Sequence, residues 1–376
     1  MFTIAGRLAL AGLLLIPTLA SAEPLRIVTS FTILQDFVEN VAGERAEVSA
    51  LVGVDGDAHG FEPTPTDVAT VARADLVFVN GLQFEGWIDR LISASGYSGD
   101  IIVATHGVNV IATGDDHGHG HGHDDDHGHG HGHGHDDDHG HGHGHDDDHG
   151  HGHGHGHDDD HGHGHGHDDD HGHGHGHDDD HGHGHGHDDD HGHHHGPEDP
   201  HAWSSPLEAK TYVRNIRNAL MAADPEHASE YEARAEAYLA SLSELDAWVR
   251  EMFESVPEEA RRAIVGHDSF AYFGRDYGVE FFSAQGLSTD AEPSAREIAG
   301  IIRALRDQQV RVVFRENITD SRLVEQISRD GGGIVAGTLY SDALSAPDGV
   351  APDYISMIRF NVEKMVDAFK AAEHDH

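Results

Sequence analysis

The sequence predicts an α/β protein of two lobes, each a parallel sheet flanked by helices, joined by a long rigid backbone helix and interrupted by a large disordered loop. Three observations predict it. Short apolar runs alternate with amphipathic ones both before and after the middle of the chain, the rhythm of strand–helix–strand units. Between those regions, residues 206–253 are rich in Ala, Leu, Glu and Arg, a composition that favours helix. Finally, residues 114–196 contain nothing but Gly, His and Asp, so they hold no apolar side chain around which a core could form.

The elements follow in order. LRIVTS reads as a first strand, and ILQDFVENV sets Ile33, Leu34, Phe37, Val38 and Val41 on one helical face. AEVSALV reads as a second strand. TPTDVATVARA opens a helix at Pro65 and Thr66, since proline tolerates the first helical turn. ADLVFVN has the unbroken apolar profile of a strand covered on both faces, and DIIVAT follows as another. After the low-complexity stretch a helical region runs to Phe253 with a break at Asp224-Pro225. Its second part, 225–253, would be about 40 Å long at about 1.5 Å per residue, long enough to act as a spine. RAIVGH is then a strand ending in histidine, and VEFFSA another. Ser294 and Glu297 have capping-box spacing at a helix start. VRVVF, SRLVEQISRD and GIVAG continue as strand, helix and strand, and an amphipathic helix over 354–371 closes the chain.

The first 22 residues have one positive charge (Arg7), an apolar run from Leu8 to Leu15, and the small residues Ala20-Ser21-Ala22. That is the layout of a signal peptide cleaved before Glu23. The domain expectation is therefore a leader at 1–22, an N-terminal lobe at 23–224 with 114–196 inserted, a linking helix at 225–256, and a C-terminal lobe at 257–376. With no cysteine in the sequence there is no lipid-attachment cysteine, no disulfide and no thiolate ligand. A soluble exported protein, most simply periplasmic, is expected, and any metal must be held by imidazole and oxygen.

The net charge is −45, of which the 23 aspartates of 114–196 supply −23 without any Lys or Arg. The remainder is still strongly acidic, which argues against nucleic acid or an anionic membrane surface as partner.

The same 83-residue stretch holds 34 of the 41 histidines. Imidazoles at that density bind zinc, copper or nickel in many interchangeable geometries. Each such event must order a glycine-rich coil whose ends would lie roughly 50 Å apart if unconstrained. Auxiliary metal capture of high capacity and moderate affinity, or metal sensing, is expected; a solvated linker expanded by repeat slippage is the plain alternative. A repeat so redundant is a poor candidate for one selective site.

Seven histidines lie elsewhere: His59, His106, His201, His227, His267, His374 and His376. Three sit in loops beyond strand ends or at lobe edges, where α/β proteins place ligands. His59 lies in DGDAHGFEPTPTD, before a helix start. His201 lies in EDPHAWSSP, between stiffening prolines and beside Trp203. His267 ends the strand RAIVG. Each has an ordinary reading too: a surface loop residue, the last histidine of the repeat, a satisfied core histidine. For a fourth ligand Asp342, in GTLYSDALS, sits at an equivalent strand end; Glu316, in VVFREN, competes and is read as salt-bridging instead. Three imidazoles and one carboxylate suit tetrahedral zinc, with bonds of about 2.0–2.2 Å.

DAHGFEPTPTD, DPHAW, GHDSFAYFGRDYG and LYSDALS, with the long helix between the second and third, resemble the zinc-uptake solute-binding proteins of ABC transporters, the cluster A-I metal receptors. The resemblance covers nearly all of the mature chain and includes a His/Asp-rich loop before the second ligand. It implies metal ligation by His59, His201, His267 and Asp342. It also implies Zn²⁺ as transported ligand, an inner-membrane ABC permease as partner, and a small conformational change rather than a wide hinge closure. Manganese and iron receptors of that family usually carry glutamate at the third position, so His267 favours zinc. Some zinc members have a disulfide in the C-terminal lobe, which this cysteine-free chain replaces by packing. A periplasmic metal chaperone is a conceivable donor, and a monomer is expected.

No catalysis is expected, because four protein ligands leave no open position for a substrate. The rivals are a manganese or iron receptor of the same family, a storage protein acting through the repeat, and a metal-dependent hydrolase. Against the last, the sequence has no HExxH pair.

Overall fold

The computed structural model describes residues 23–112, 198–290 and 292–374. The expected leader and the His/Asp/Gly stretch lie outside them.

The N-terminal lobe runs β1 (Leu25–Thr29), α1 (Thr32–Ala42), β2 (Ala46–Ala50), α2 (Pro65–Val71), β3 (Leu76–Val79), α3 (Ile88–Ser95), β4 (Asp100–Val103). Its strands pair in parallel in the order β2-β1-β3-β4. The five apolar residues expected on one face of α1 are all fully buried. Every residue of β3 is buried as well, as a strand with helices over both faces should be. At the start of α2, the Asp67 carboxylate accepts from both N–H and Oγ1 of Thr64 (2.7 and 2.8 Å), which fixes the helix entrance beside Pro65.

Two helices follow, α4 (Pro206–Ala223) and α5 (Ala228–Glu254). The helix expected from residue 225 begins three residues later, because Pro225–His227 turn as a 3₁₀ segment; proline at its head cannot donate to the preceding turn. Over its 27 residues α5 buries Tyr231, Ala235, Tyr238, Leu242, Leu245, Val249 and Phe253, one stripe at spacings of three and four.

The C-terminal lobe repeats the first: β5 (Arg262–Val265), α6 (Ala271–Tyr277), β6 (Glu280–Ser283), α7 (Ala295–Asp307), β7 (Val312–Glu316), α8 (Ser321–Gly331), β8 (Ile334–Leu339), α9 (Tyr354–His374). Its parallel order is β6-β5-β7-β8. Both arms of the capping box form, Ser294 N–H to Glu297 Oε2 and Glu297 N–H to Ser294 Oγ. Strand order reverses beside β1 in one lobe and beside β5 in the other, and the carboxyl ends next to such reversals are where open sheets place ligands.

A single core runs through both lobes and the spine, taking in Phe37 of α1, Tyr212 of α4, Leu242 of α5, Val265 of β5 and Phe369 of α9. A smaller one, with Leu305, Val313 and Ile327, lies under α7 and α8. Where α1, α5 and α9 meet, Asp36 Oδ2 accepts from the Tyr238 hydroxyl (3.0 Å) and the Tyr354 N–H (3.3 Å). Burial pushes the Asp36 carboxyl up to about 6 from 3.8, despite those two bonds. A raised carboxyl contributes stability that is full below pH 3.8 and is lost as pH rises through about 6. A change of that size corresponds to about 3 kcal/mol. Asn supplies the same acceptor without the charge. Asp36→Asn should therefore match the parent in chemical unfolding at pH 4 and exceed it at pH 7.5; equal differences at both pH values would refute the argument.

Candidate metal centre

His59, His267 and Asp342 lie in connections that follow β2, β5 and β8, and His201 lies just before α4. His59 lies in the loop between β2 and α2, its N–H donating to Asp57 Oδ1 (2.9 Å) and its ring edge-on to Phe84 (centroids 4.7 Å apart). His201 precedes a 3₁₀ turn, Ala202–Ser204. Asp199 Oδ1 accepts its N–H and also lies 2.8 Å from its Nδ1. The chain around it is held from three sides. Tyr272 donates to Asp199 O, Asn80 Nδ2 to Pro200 O, and Trp203 Nε1 to Ser341 O.

Beyond the end of β5, after Gly266, comes His267. Glu316, the last residue of β7, accepts its N–H through Oε1 (2.8 Å) and places Oε2 2.7 Å from its Nδ1. Asp342 follows β8; its neighbour Ser341 donates its N–H to Asn317 Oδ1.

The fold brings all four side chains together, one donor atom from each lying within 4.8 Å of the others. His201, His267 and Asp342 are fully buried and His59 is 8% exposed. All three rings direct Nε2 inward. His59 Nε2 is 3.2 Å from His201 Nε2 and 3.3 Å from Asp342 Oδ2. Asp342 Oδ2 is 3.1 Å from His267 Nε2 and 3.9 Å from His201 Nε2. A tetrahedral ion with bonds of about 2.0–2.1 Å spaces its ligands about 3.3 Å apart. The His59–His201, His59–Asp342 and His267–Asp342 spacings match that value, and His201–Asp342 is wider. Asp342 Oδ1 is buried without a hydrogen-bond partner, so it is free to lend a second oxygen.

Charge is arranged for a cation. Burial disfavours an imidazolium, yet the Glu316 and Asp342 carboxylates outweigh it and hold the His267 pKa well above its ordinary value. Burial likewise opposes ionised Asp342, but His267 and His201, with hydrogen bonds from His267 and His59, keep its pKa far below the usual carboxylate range. Carboxylates at the Nδ1 side of His201 and His267 fix ring orientation and make Nε2 a better donor.

Sequence reasoning missed Asp57 and Asp199. The signal was present: DAH and DPH both place an aspartate two residues before a ligand candidate, and in both its Oδ1 accepts that histidine's N–H. Glu316, read as salt-bridging, is the partner of His267. His227 belongs elsewhere, paired with Asp224.

Residues 27–368 match the family model described as ZnuA, zinc-uptake complex component A, periplasmic. The chain belongs to this family. Relatives of the ZnuA-like chain include the manganese-binding lipoprotein MntA of Halalkalibacterium halodurans, 26% identical over 349 residues (93% of this chain, 90% of that one). The iron-binding protein YfeA of Yersinia pestis is 25% identical over 350 residues (93% and 88%). Among solved structures, the periplasmic zinc binding protein TroA from Treponema pallidum aligns with TM-score 0.68 at 21% identity, covering 92% of this chain and 99% of its own. A manganese-bound periplasmic metal binding protein from Candidatus Liberibacter asiaticus aligns with TM-score 0.65 at 23% identity, over the same shares. Both share the two-lobed α/β fold. ZnuA-like proteins are metal-binding receptors that work with ABC permeases, not enzymes. Among the described residues no helix is long and apolar enough to cross a membrane.

Proposed function

We propose that this chain is a periplasmic zinc receptor that delivers Zn²⁺ to an inner-membrane ABC permease. His59, His201 and His267 supply nitrogen ligands and Asp342 supplies oxygen. The reading rests on one observation: three inward Nε2 atoms converge on one carboxylate oxygen, with three of their spacings near those of a tetrahedral ion. Nitrogen-rich tetrahedra suit zinc, whereas manganese favours more oxygens and six-fold coordination. The chain acts as a monomer, with a leader at 1–22 and lobes at 23–224 and 257–376 linked by 225–256. Its His/Asp/Gly insert is an auxiliary zinc-capture segment. A periplasmic chaperone could load it.

The manganese reading draws on the names of relatives such as MntA, and one experiment separates it from zinc and from storage by the insert. Ala112 and Glu198, flanking the insert, form an antiparallel bridge, and Asp199 N–H donates to Ile111 O (2.9 Å). Replacing residues 113–197 by Asn-Gly therefore closes a bridged pair with a two-residue turn. Zinc and manganese titrations of this shortened chain against a competing chelator should give one tight zinc per chain and much weaker manganese. Loss of tight zinc would move the site to the insert; tighter manganese would favour the other reading.

A further inference from the structure

The buried tetrad needs a route to solvent, and one opening reaches it. A cleft of ≈150 Å³ is lined by His59, Leu82, Gln83, Glu198, Pro200, Leu287 and Ser288, room for several waters. Of the four ligand candidates only His59 lines it, and only His59 has any exposure. A cation that must exchange hydration for ligands stepwise, without crossing the apolar core, meets His59 first. Among the described residues Glu198 is the only carboxylate on the lining, and it favours cations at the opening.

The two walls of the cleft differ in firmness. On the N-terminal side Gly81, Leu82 and Gln83 have φ of 89°, 53° and 62°. Two consecutive non-glycine residues in the left-handed region persist only where their surroundings hold them. The buried Glu85 carboxylate does so, accepting the N–H groups of Asn80 and Gly81 (2.6 and 3.2 Å). The opposite wall, Leu287 and Ser288, belongs to the segment between β6 and α7. The next residue, Thr289, donates its hydroxyl to Asp57 Oδ2 across the lobes at 2.6 Å. The other oxygen of Asp57 accepts the His59 N–H. The lobes approach closely here: a Cβ on Gly60 would lie 3.0 Å from Asp290 Oδ1 and 3.8 Å from Asp57 Oδ2. Two carboxylates from opposite lobes flank that point, so their repulsion works against closure and the Thr289 hydroxyl offsets it.

We infer that metal enters and leaves through this cleft, and that Asp57 is a positioning residue whose bond to Thr289 couples closure of the cleft to placement of His59. The inference rests on the ligand assignment proposed above. When Thr289 lets go, the wall carrying Leu287 and Ser288 is freed and the support of His59 loosens with it. Opening and weakening of the first-met ligand are then one event.

The test uses the full chain loaded with one equivalent of zinc and chased with excess chelator, followed by tryptophan fluorescence. Trp203 packs edge-on against His201 (centroids 5.2 Å) and Trp87 donates to Ala58 O, while the insert contains no tryptophan. Thr289→Val, isosteric but without the donor, should release zinc about tenfold faster, the scale of a charge-assisted hydrogen bond. Thr289→Ser keeps the hydroxyl and should restore the parental rate, which a purely steric role would not do. Leu287→Trp, filling the cleft, should slow loading and release together while leaving affinity near parental. Parental rates in both Thr289→Val and Leu287→Trp would overturn the inference. If His59→Ala binds zinc as tightly as the parent, it is the ligand assignment that fails instead.

Discussion

Replacing Asp342 by alanine should weaken zinc binding by about 10²–10³-fold while leaving the protein folded. A four-ligand zinc site in a small domain is worth about 10–16 kcal/mol at neutral pH; one ligand's share is then about 3–4 kcal/mol, or that fold-change in affinity. Asp342 has more than an average share, because it is the only negatively charged donor and three imidazoles alone leave the ion's charge unmatched. The fold should survive because Asp342 removal leaves His267 with its other carboxylate, Glu316, 2.7 Å from Nδ1. Breaking a buried pair so that one member is wholly uncompensated costs about 3–5 kcal/mol, and that partner spares His267 most of it. Competition titration of zinc against a chelator reads the affinity, and circular dichroism reads the fold. An unchanged affinity for the tight zinc would remove Asp342 from the site.

Support around the ligands should matter less but measurably. Asp199→Asn and Glu316→Gln keep size and one acceptor oxygen while removing the charge that orients His201 and His267. Each should cost about 10–100-fold in zinc affinity, the usual scale for partners behind a ligand. The same titration checks it, and no change in either variant would mean that packing alone aims the rings.

The two sheets and the spine were legible because period and composition are local properties. ADLVFVN can only be a strand covered on both sides, and α5 carries its apolar stripe through seven buried residues. What was missed is short or tertiary. The helices α3 and α6 run only eight and seven residues before a left-handed glycine ends each, too few for a period to stand out. The Pro225 turn displaced a boundary, where proline chemistry competes with helix propensity. Within the site, strand ends and loop composition pointed to His59, His201, His267 and Asp342. The spacing of the donor atoms was not legible. It exists only between atoms of residues far apart in the chain, and no sequence pattern encodes the 3.2 Å between His59 and His201. The second contact of Asp57 was hidden for a related reason: its Oδ2 accepts from Thr289, 232 residues away in the chain.

Replacing His267 by glutamate tests the choice of metal, and the surroundings of that residue dictate how. The substitution alone exchanges an imidazole for a carboxylate between two others, Glu316 Oε2 on one side and Asp342 Oδ2 on the other. Three carboxylates in a buried site repel strongly, and at least one must take up a proton. H267E alone is therefore expected to lose zinc affinity and unfold more easily, without a clean gain for manganese. In this chain both oxygens of Glu316 face His267. Adding E316Q removes the surplus charge and supplies an amide that can donate to the new carboxylate. The paired change presents two imidazoles and two carboxylates, a harder donor set that suits manganese better. Relative to the parent, it should shift the zinc-to-manganese affinity ratio toward manganese by about 10–100-fold, the scale on which changes around a ligand act. Metal analysis of protein equilibrated with both ions in chelator-buffered solution reads that ratio directly. A ratio unmoved by the paired change would mean that selectivity here is set by the size and rigidity of the cavity, and not by the third ligand.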